Sequence, residues 1–104
     1  MKVGDGKMKT LEQIKGILVL HKETLKSRFK VKEIGVFGSF ARGEQRKKSD
    51  IDILVEFREP VDFFEFLDLE DYLENLLDSK IDLVSKKALK PYIGKRILEE
   101  VVYT

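Results

Sequence analysis

The chain has 104 residues, enough for one domain with a single hydrophobic core. Lys and Arg total 20 against 19 Asp and Glu, and this near-neutral balance argues against a nucleic-acid binder that relies on a strongly positive field. The absence of cysteine excludes disulfides, thiol nucleophiles and cysteine metal sites. No apolar run is long enough for a signal peptide or a membrane span, so we expect a cytoplasmic location.

The beginning of the chain divides into a loose segment and a helix. Residues 1–8 hold two glycines and no periodic pattern, so we expect a flexible N-terminus followed by one domain over residues 9–104. Thr10 and Gln13 fit a capping box at the start of a helix. Apolar residues at helical spacing then predict a first helix over about residues 10–29.

The rest of the chain alternates predicted strands and helices. A short helix with the sequence FARGEQ, capped by Ser39, follows the first strand, and Pro60 suits the first turn of a long helix. Pro91 opens a final helix that ends near Tyr103, which gives the order αβαβαβα. The predicted strands are Lys32–Phe37, Asp50–Phe57 and Lys80–Ser85, and the long helix covers about residues 60–78.

The lengths of the connections predict how the strands pair. About a dozen residues join the first two strands, which favours antiparallel neighbours, whereas a full helix joins the second and third, as in a parallel crossover. The predicted fold class is therefore α/β, with a small mixed sheet packed against helices. One edge of this sheet should then gather Gly38-Ser39, Asp50, Asp52 and Asp82.

Three aspartates beside a Gly-Ser turn suit chemistry at a phosphate. Asp50 and Asp52 lie on one side of a strand, where aspartate is rare, so we expect a compensating ligand. Hard divalent cations such as Mg²⁺ bind carboxylates together with substrate phosphates, and two such ions stabilise in-line attack at phosphorus. Gly38 lets a phosphate approach the backbone, where N–H groups favour an anion, and Arg42 and Lys48 are close in sequence.

The motifs GSFARG, SDIDILVEF and KIDLV resemble the nucleotidyltransferase superfamily, which includes DNA polymerase beta and kanamycin nucleotidyltransferase. The short chain is similar to its smallest branch, the minimal nucleotidyltransferases, which act as antitoxins paired with HEPN-type ribonuclease toxins. The resemblance extends from about Ile34 to Val102. It implies Mg²⁺-dependent transfer of AMP from ATP to a hydroxyl acceptor, with a tyrosine of the HEPN toxin as the specific expectation.

The resemblance also implies a role for each motif residue. Gly38 and Ser39 would hold the nucleoside triphosphate, next to the matching Arg42-Gly43 pair. The three carboxylates would bind the metal ions, and the third of them would help to activate the acceptor hydroxyl. These carboxylates are Asp50, Asp52 and Asp82, in chain order.

Other interpretations stay open at this point. Asp50 is also consistent with a turn residue, Asp52 with a buried acid paired with an arginine, and Asp82 with a surface strand residue. A nucleic-acid 3′-hydroxyl is a further acceptor, disfavoured by the balanced charge. A second function is a catalytically silent antitoxin that neutralises its toxin by binding alone. The long helix favours a partner or self-association surface, because its apolar arc includes Phe63, Phe64, Phe66 and Leu67.

Overall fold

A computed structural model of the chain describes residues 9–46 and 49–104. The predicted flexible N-terminus, residues 1–8, and Lys48 lie outside these ranges. Among the described residues, no helix combines the length and the apolar character needed to cross a membrane. The elements in chain order are α1 (Leu11–Leu20), α2 (Lys22–Phe29), β1 (Val31–Phe37), α3 (Ser39–Arg42), β2 (Ile51–Phe57), α4 (Phe63–Leu77), β3 (Ile81–Ser85), a 3₁₀ turn (Lys86–Ala88), α5 (Pro91–Glu100) and β4 (Val102–Tyr103).

The four strands form one mixed sheet in the order β3-β2-β1-β4. β1 and β2 are antiparallel, and β2 and β3 are parallel, so both predicted pairings and the α/β fold class are confirmed. Each predicted strand matches an observed one to within one residue at either end. The strands could be located from the sequence because their apolar residues are buried in the sheet and therefore form recognisable apolar runs.

The core lies on one face of the sheet, between the strands and the helices. Alternate residues of β2 point to this face, and Ile53 lies between Val36 of β1 and Leu83 of β3 in the register. The α1 and α4 helices cover the face with side chains that are fully buried. Asp52 therefore lies on the opposite face of the sheet. The buried helix residues are Ile14, Leu18, Leu69, Leu73 and Leu77.

The predicted first helix is wrong in one respect, because it is two helices that meet at His21. The imidazole Nδ1–H of His21 donates to the carbonyl oxygen of Ile17 at 2.9 Å, and His21 has φ −107° and ψ 15°. The helix is interrupted at this residue, but the apolar pattern continues, since Leu25 and Phe29 of α2 are buried like Ile14 and Leu18 of α1. The predicted capping box of Thr10 and Gln13 is present.

The long helix begins at Phe63 instead of Pro60. The Asp62 side chain accepts a hydrogen bond from the Glu65 N–H at 2.8 Å, and the Glu65 side chain accepts from the Asp62 N–H at 3.0 Å. Asp62 is extended, with ψ 176°, so this capping box ends the preceding loop and places Pro60 outside the helix.

The end of the chain differs most from the prediction. The α5 helix opens at Pro91 as predicted but stops at Glu100, and β4 then pairs antiparallel with β1 through Gly35 and Val36. A Cβ built at Gly35 would lie 2.7 Å from Val101 Cγ2 and 2.9 Å from the Val102 carbonyl oxygen. The missing side chain of Gly35 therefore makes room for β4, and residues with high strand propensity fill that room.

Candidate active site

The β2 and β3 strands bring two of the predicted carboxylates side by side. In the register, Asp52 of β2 is paired with Asp82 of β3 on one side and with Phe37 of β1 on the other. Asp50 immediately precedes β2 and is exposed. The structure thus places the three aspartates at the end of the sheet where β2 and β3 begin and β1 ends.

Asp52 is the partly buried carboxylate of this cluster, since Asp50 and Asp82 are exposed. Burial raises the pKa of Asp52 to about 6, and the negative charge of Asp82, a hydrogen bond with the Asp82 side chain and the charge of Asp50 act in the same direction. Arg42 opposes the rise with the smallest contribution. Asp52 is therefore an acid crowded by other acids, and the alternative of a buried acid neutralised by an arginine does not describe it.

Gly38 gives the Asp52 carboxylate the space it occupies. Gly38 has φ 74° and ψ −150°, a backbone conformation that residues with a Cβ rarely adopt. A Cβ built there would collide with Oδ2 of Asp52. The glycine of the Gly-Ser motif is thus required both by the turn and by the neighbouring carboxylate.

The main-chain N–H of Gly38 already has an acceptor. It donates to Oε2 of Glu100 at 2.6 Å, and Nη1 of Arg42 donates to Oε1 of the same carboxylate at 3.0 Å. Nε of Arg42 donates to Glu44 at 2.9 Å. Sequence reasoning missed both glutamates. The predicted last helix ran past residue 100 and gave no reason to bring Glu100 to the turn, and Glu44 was predicted to lie within the short helix FARGEQ.

Ser39 is the first residue of α3 and not its cap, which corrects the prediction. Gly38 occupies the cap position, and Ser39 is partly exposed at the rim of the cluster. The helix ends at Arg42 instead of continuing through FARGEQ, because Gly43 follows in the left-handed conformation with φ 72°. Arg42, the last residue of this short helix, contacts Glu44 and Glu100 and lies close enough to Asp52 to oppose the rise of its pKa.

The ligand types at this site suit a divalent cation. Asp52 and Asp82 are adjacent carboxylates, the ligand type that Mg²⁺ prefers, and a cation between them would relieve the repulsion that raises the pKa of Asp52. Within residues 9–46 and 49–104, no three acidic or histidine side chains are already gathered around one point as metal ligands. The ligand set Asp50, Asp52 and Asp82 therefore stays a prediction.

Comparison with known proteins identifies the family. The family model described as "Nucleotidyltransferase domain" matches residues 18–104. This chain belongs to the nucleotidyltransferase family. The match includes the Gly-Ser turn, all three aspartates and Glu100, so the whole site lies within the family domain.

Relatives cover nearly the full length of this nucleotidyltransferase. MJ0128 of Methanocaldococcus jannaschii is 58% identical over 97 residues, which span 92% of this chain and 99% of that protein. Protein adenylyltransferase MntA of Thermococcus cleftensis is 54% identical over 96 residues, which span 92% and 97%. A solved toxin–antitoxin structure with AMP-PNP is similar with a TM-score of 0.69 and 27% identity, over 86% of this chain and 70% of that one. This nucleotidyltransferase is accordingly an enzyme.

Proposed function

We propose that this nucleotidyltransferase transfers AMP from ATP to a hydroxyl group of a partner protein, as the antitoxin of a toxin–antitoxin pair. The observation that carries the proposal is the pairing of Asp52 with Asp82 directly beside the Gly38 turn. Two comparisons support the substrate and the setting: a 54% identical relative is named a protein adenylyltransferase, and a 27% identical structure is a toxin–antitoxin with AMP-PNP.

In the proposed reaction the acceptor oxygen attacks the α-phosphorus of ATP. The new oxygen–phosphorus bond forms as the bond to the bridging oxygen breaks, pyrophosphate leaves, and the acceptor hydroxyl loses its proton. Asp82, which is exposed and adjacent to Asp52, would receive this proton, the role that the family motif implies for it. Asp50, Asp52 and Asp82 would hold Mg²⁺, which when bound neutralises charge on the phosphates.

The phosphates would bind where the turn meets α3. Ser39, which is partly exposed, would contribute its hydroxyl and main-chain N–H, and Arg42, whose side chain is 47% exposed, would contribute its guanidinium. The N–H of Gly38 donates to Glu100, so Gly38 would act mainly through its backbone conformation and its missing side chain. Lys48 stays a predicted phosphate ligand outside the described residues.

The partner would be a HEPN-type toxin in the cytoplasm that presents a tyrosine as the acceptor. An exposed aromatic pair supports such a docking surface: Phe63 is 69% and Phe64 is 75% exposed, with their ring centroids 6.0 Å apart. Large apolar side chains left in solvent at neighbouring positions commonly mark a surface that binds another protein. The pair lies at the start of α4.

Label transfer tests the proposal directly. The purified protein is incubated with Mg²⁺ and each α-labelled nucleoside triphosphate, with and without the protein encoded by the neighbouring gene. We expect label from ATP on the partner with the wild type and with Glu12→Gln, an exposed control on α1 away from the aromatic pair. Asp82→Asn should transfer at least about a hundredfold more slowly. Equal transfer by Asp82→Asn and wild type would rule out the proposed role of this carboxylate.

The second candidate function is an antitoxin that acts by binding alone, which the exposed Phe63 and Phe64 also favour. The two functions differ in what they require of the carboxylates. If transfer is the function, the double variant Asp50→Asn/Asp52→Asn should bind the toxin but fail to rescue growth of toxin-expressing cells. Phe63→Ser/Phe64→Ser should lose the complex itself. Full rescue by the double aspartate variant would support binding alone.

A further inference from the structure

One carboxylate outside the predicted site bridges two of its parts. Glu100 accepts from the Gly38 N–H at 2.6 Å and from Nη1 of Arg42 at 3.0 Å and 3.2 Å. Gly38 is buried, and a buried N–H without an acceptor is strongly unfavourable. The side chain of Glu100 is 28% exposed, so this acceptor is partly sheltered from water.

The backbone around Glu100 is anchored to the strand that leads into Gly38. Glu100 is the last residue of α5, and the chain that follows pairs through β4 with Gly35 and Val36 of β1. The Thr104 N–H also donates to the carbonyl oxygen of Ile34 at 3.1 Å. Because β1 ends one residue before Gly38, the strand pairing holds Glu100 at a fixed distance from the turn.

The guanidinium of Arg42 is fixed from two directions. Glu44 accepts from its Nε at 2.9 Å, and Glu100 accepts from its Nη1. A long charged side chain otherwise samples many rotamers, and charge-assisted hydrogen bonds on two sides favour the orientation seen here. In this orientation Arg42 is close enough to Asp52 to oppose the rise of its pKa.

We propose that Glu100 is a positioning residue of this nucleotidyltransferase, which fixes the Gly-Ser turn and the Arg42 guanidinium in the arrangement that receives the triphosphate. The inference rests on the proposed function and adds a residue to it. Glu100 touches no reacting atom in this scheme. It acts through Gly38, whose conformation orients Ser39, and through Arg42.

The test compares Glu100→Ala, Glu100→Gln and the control Glu99→Ala, which removes the adjacent exposed glutamate of α5. We expect Glu100→Ala to bind AMP-PNP with Mg²⁺ about tenfold more weakly in calorimetry, and to transfer AMP about a hundredfold more slowly. Glu100→Gln keeps an oxygen acceptor for the Gly38 N–H, so its rate should fall only about tenfold. Glu99→Ala should match the wild type in affinity and rate.

Two further measurements separate positioning from general stability. Hydrogen exchange at the Gly38 N–H, followed by NMR in the absence of nucleotide, should accelerate in Glu100→Ala and stay slow in Glu99→Ala. A double-mutant cycle with Arg42→Ala should be non-additive: Glu100→Ala should have a smaller effect on the rate when Arg42 is already absent, because only the contact with Gly38 remains to be lost. All rates are measured at a temperature where each variant is folded.

Several results would overturn the proposal. Tighter AMP-PNP binding by Glu100→Ala would mean that the carboxylate competes with the phosphates. Wild-type affinity and rate together with accelerated Gly38 exchange would mean that the contact is structural only. If Glu100→Ala does not fold, Glu100→Gln decides, and a wild-type rate in that variant overturns the inference. Absence of AMP-PNP binding in the wild type would instead overturn the proposed function. The hydrogen-exchange measurement needs no nucleotide, so it would still show whether Glu100 holds the Gly38 turn.

Discussion

Replacing Asp52 by Asn should strongly slow transfer and at the same time stabilise the metal-free protein. The substitution removes a proposed metal ligand, so we expect transfer to slow at least about a hundredfold. It also removes a charge that the fold disfavours, since burial and the charge of Asp82 raise the pKa of Asp52 from 3.8 to about 6. Allowing for solvent screening of this partly exposed group, the gain is about 1 kcal/mol at pH 7.5, or about 5 °C in Tm.

The sign of this effect fixes its pH dependence. The folded protein binds a proton at Asp52 more tightly than the unfolded chain, so the unfavourable contribution is fully present above about pH 6 and disappears below pH 3.8. The difference in Tm between Asp52→Asn and wild type, measured in EDTA, should therefore be largest near neutral pH and shrink toward pH 4. A wild type that is the more stable of the two at pH 7.5 would contradict the proposed crowding of the carboxylates.

Replacing Gly38 by Ala should produce the largest loss of stability among glycine substitutions at the site. The new Cβ would enter the space of the Asp52 carboxylate, and the backbone at φ 74° and ψ −150° is unfavourable for alanine. We expect the free energy of unfolding in urea to fall by about 3 kcal/mol. Transfer should also be lost, because the Asp52 side chain must move away from its position beside Asp82.

Gly43 offers a control at an open position. It has nearly the same φ, 72°, but its ψ of 23° lies in the left-handed helical region, which other residues tolerate better than the ψ of −150° at Gly38, and a Cβ built there has no atom within 4 Å. Gly43→Ala should therefore show only the backbone effect, about 1 kcal/mol, and keep most of its activity. If the two variants lose the same stability, neither the close approach of Gly38 to Asp52 nor the more restricted backbone of Gly38 contributes, and the explanation is wrong.

The sequence predicted the parts of this fold that short-range patterns control. Apolar runs located the three long strands to within one residue, and the connection lengths gave their correct pairing. The break at His21 was missed because it depends on one side-chain hydrogen bond to the backbone. The end of α5 was missed because β4 forms only where the distant Gly35 leaves room for it. A pattern within residues 91–103 contains no trace of that partner.

The candidate site divides in the same way. The neighbourhood of Asp52 and Asp82 could be predicted because both follow from strand order and the position of each aspartate in its strand. The contact of Glu100 with Gly38 spans 62 positions and depends on β4, so no local motif announces it. The roles of Gly38, Ser39, Arg42 and Asp50 in binding nucleotide and metal remain predictions from the family motif.

The parallel register of β2 and β3 has a consequence for how far this enzyme can tolerate change in its interior. Ile51 and Ile53 align with Ile81 and Leu83 on the buried face, and the same alignment sets Asp52 opposite Asp82 on the other. A slip of one residue would turn the carboxylate of β3 into the apolar interior. The apolar packing on one face of the sheet therefore fixes the strand register, and this register sets the distance between the two carboxylates on the other face. Loss of transfer should be a more sensitive sign of faulty strand alignment than loss of helix content.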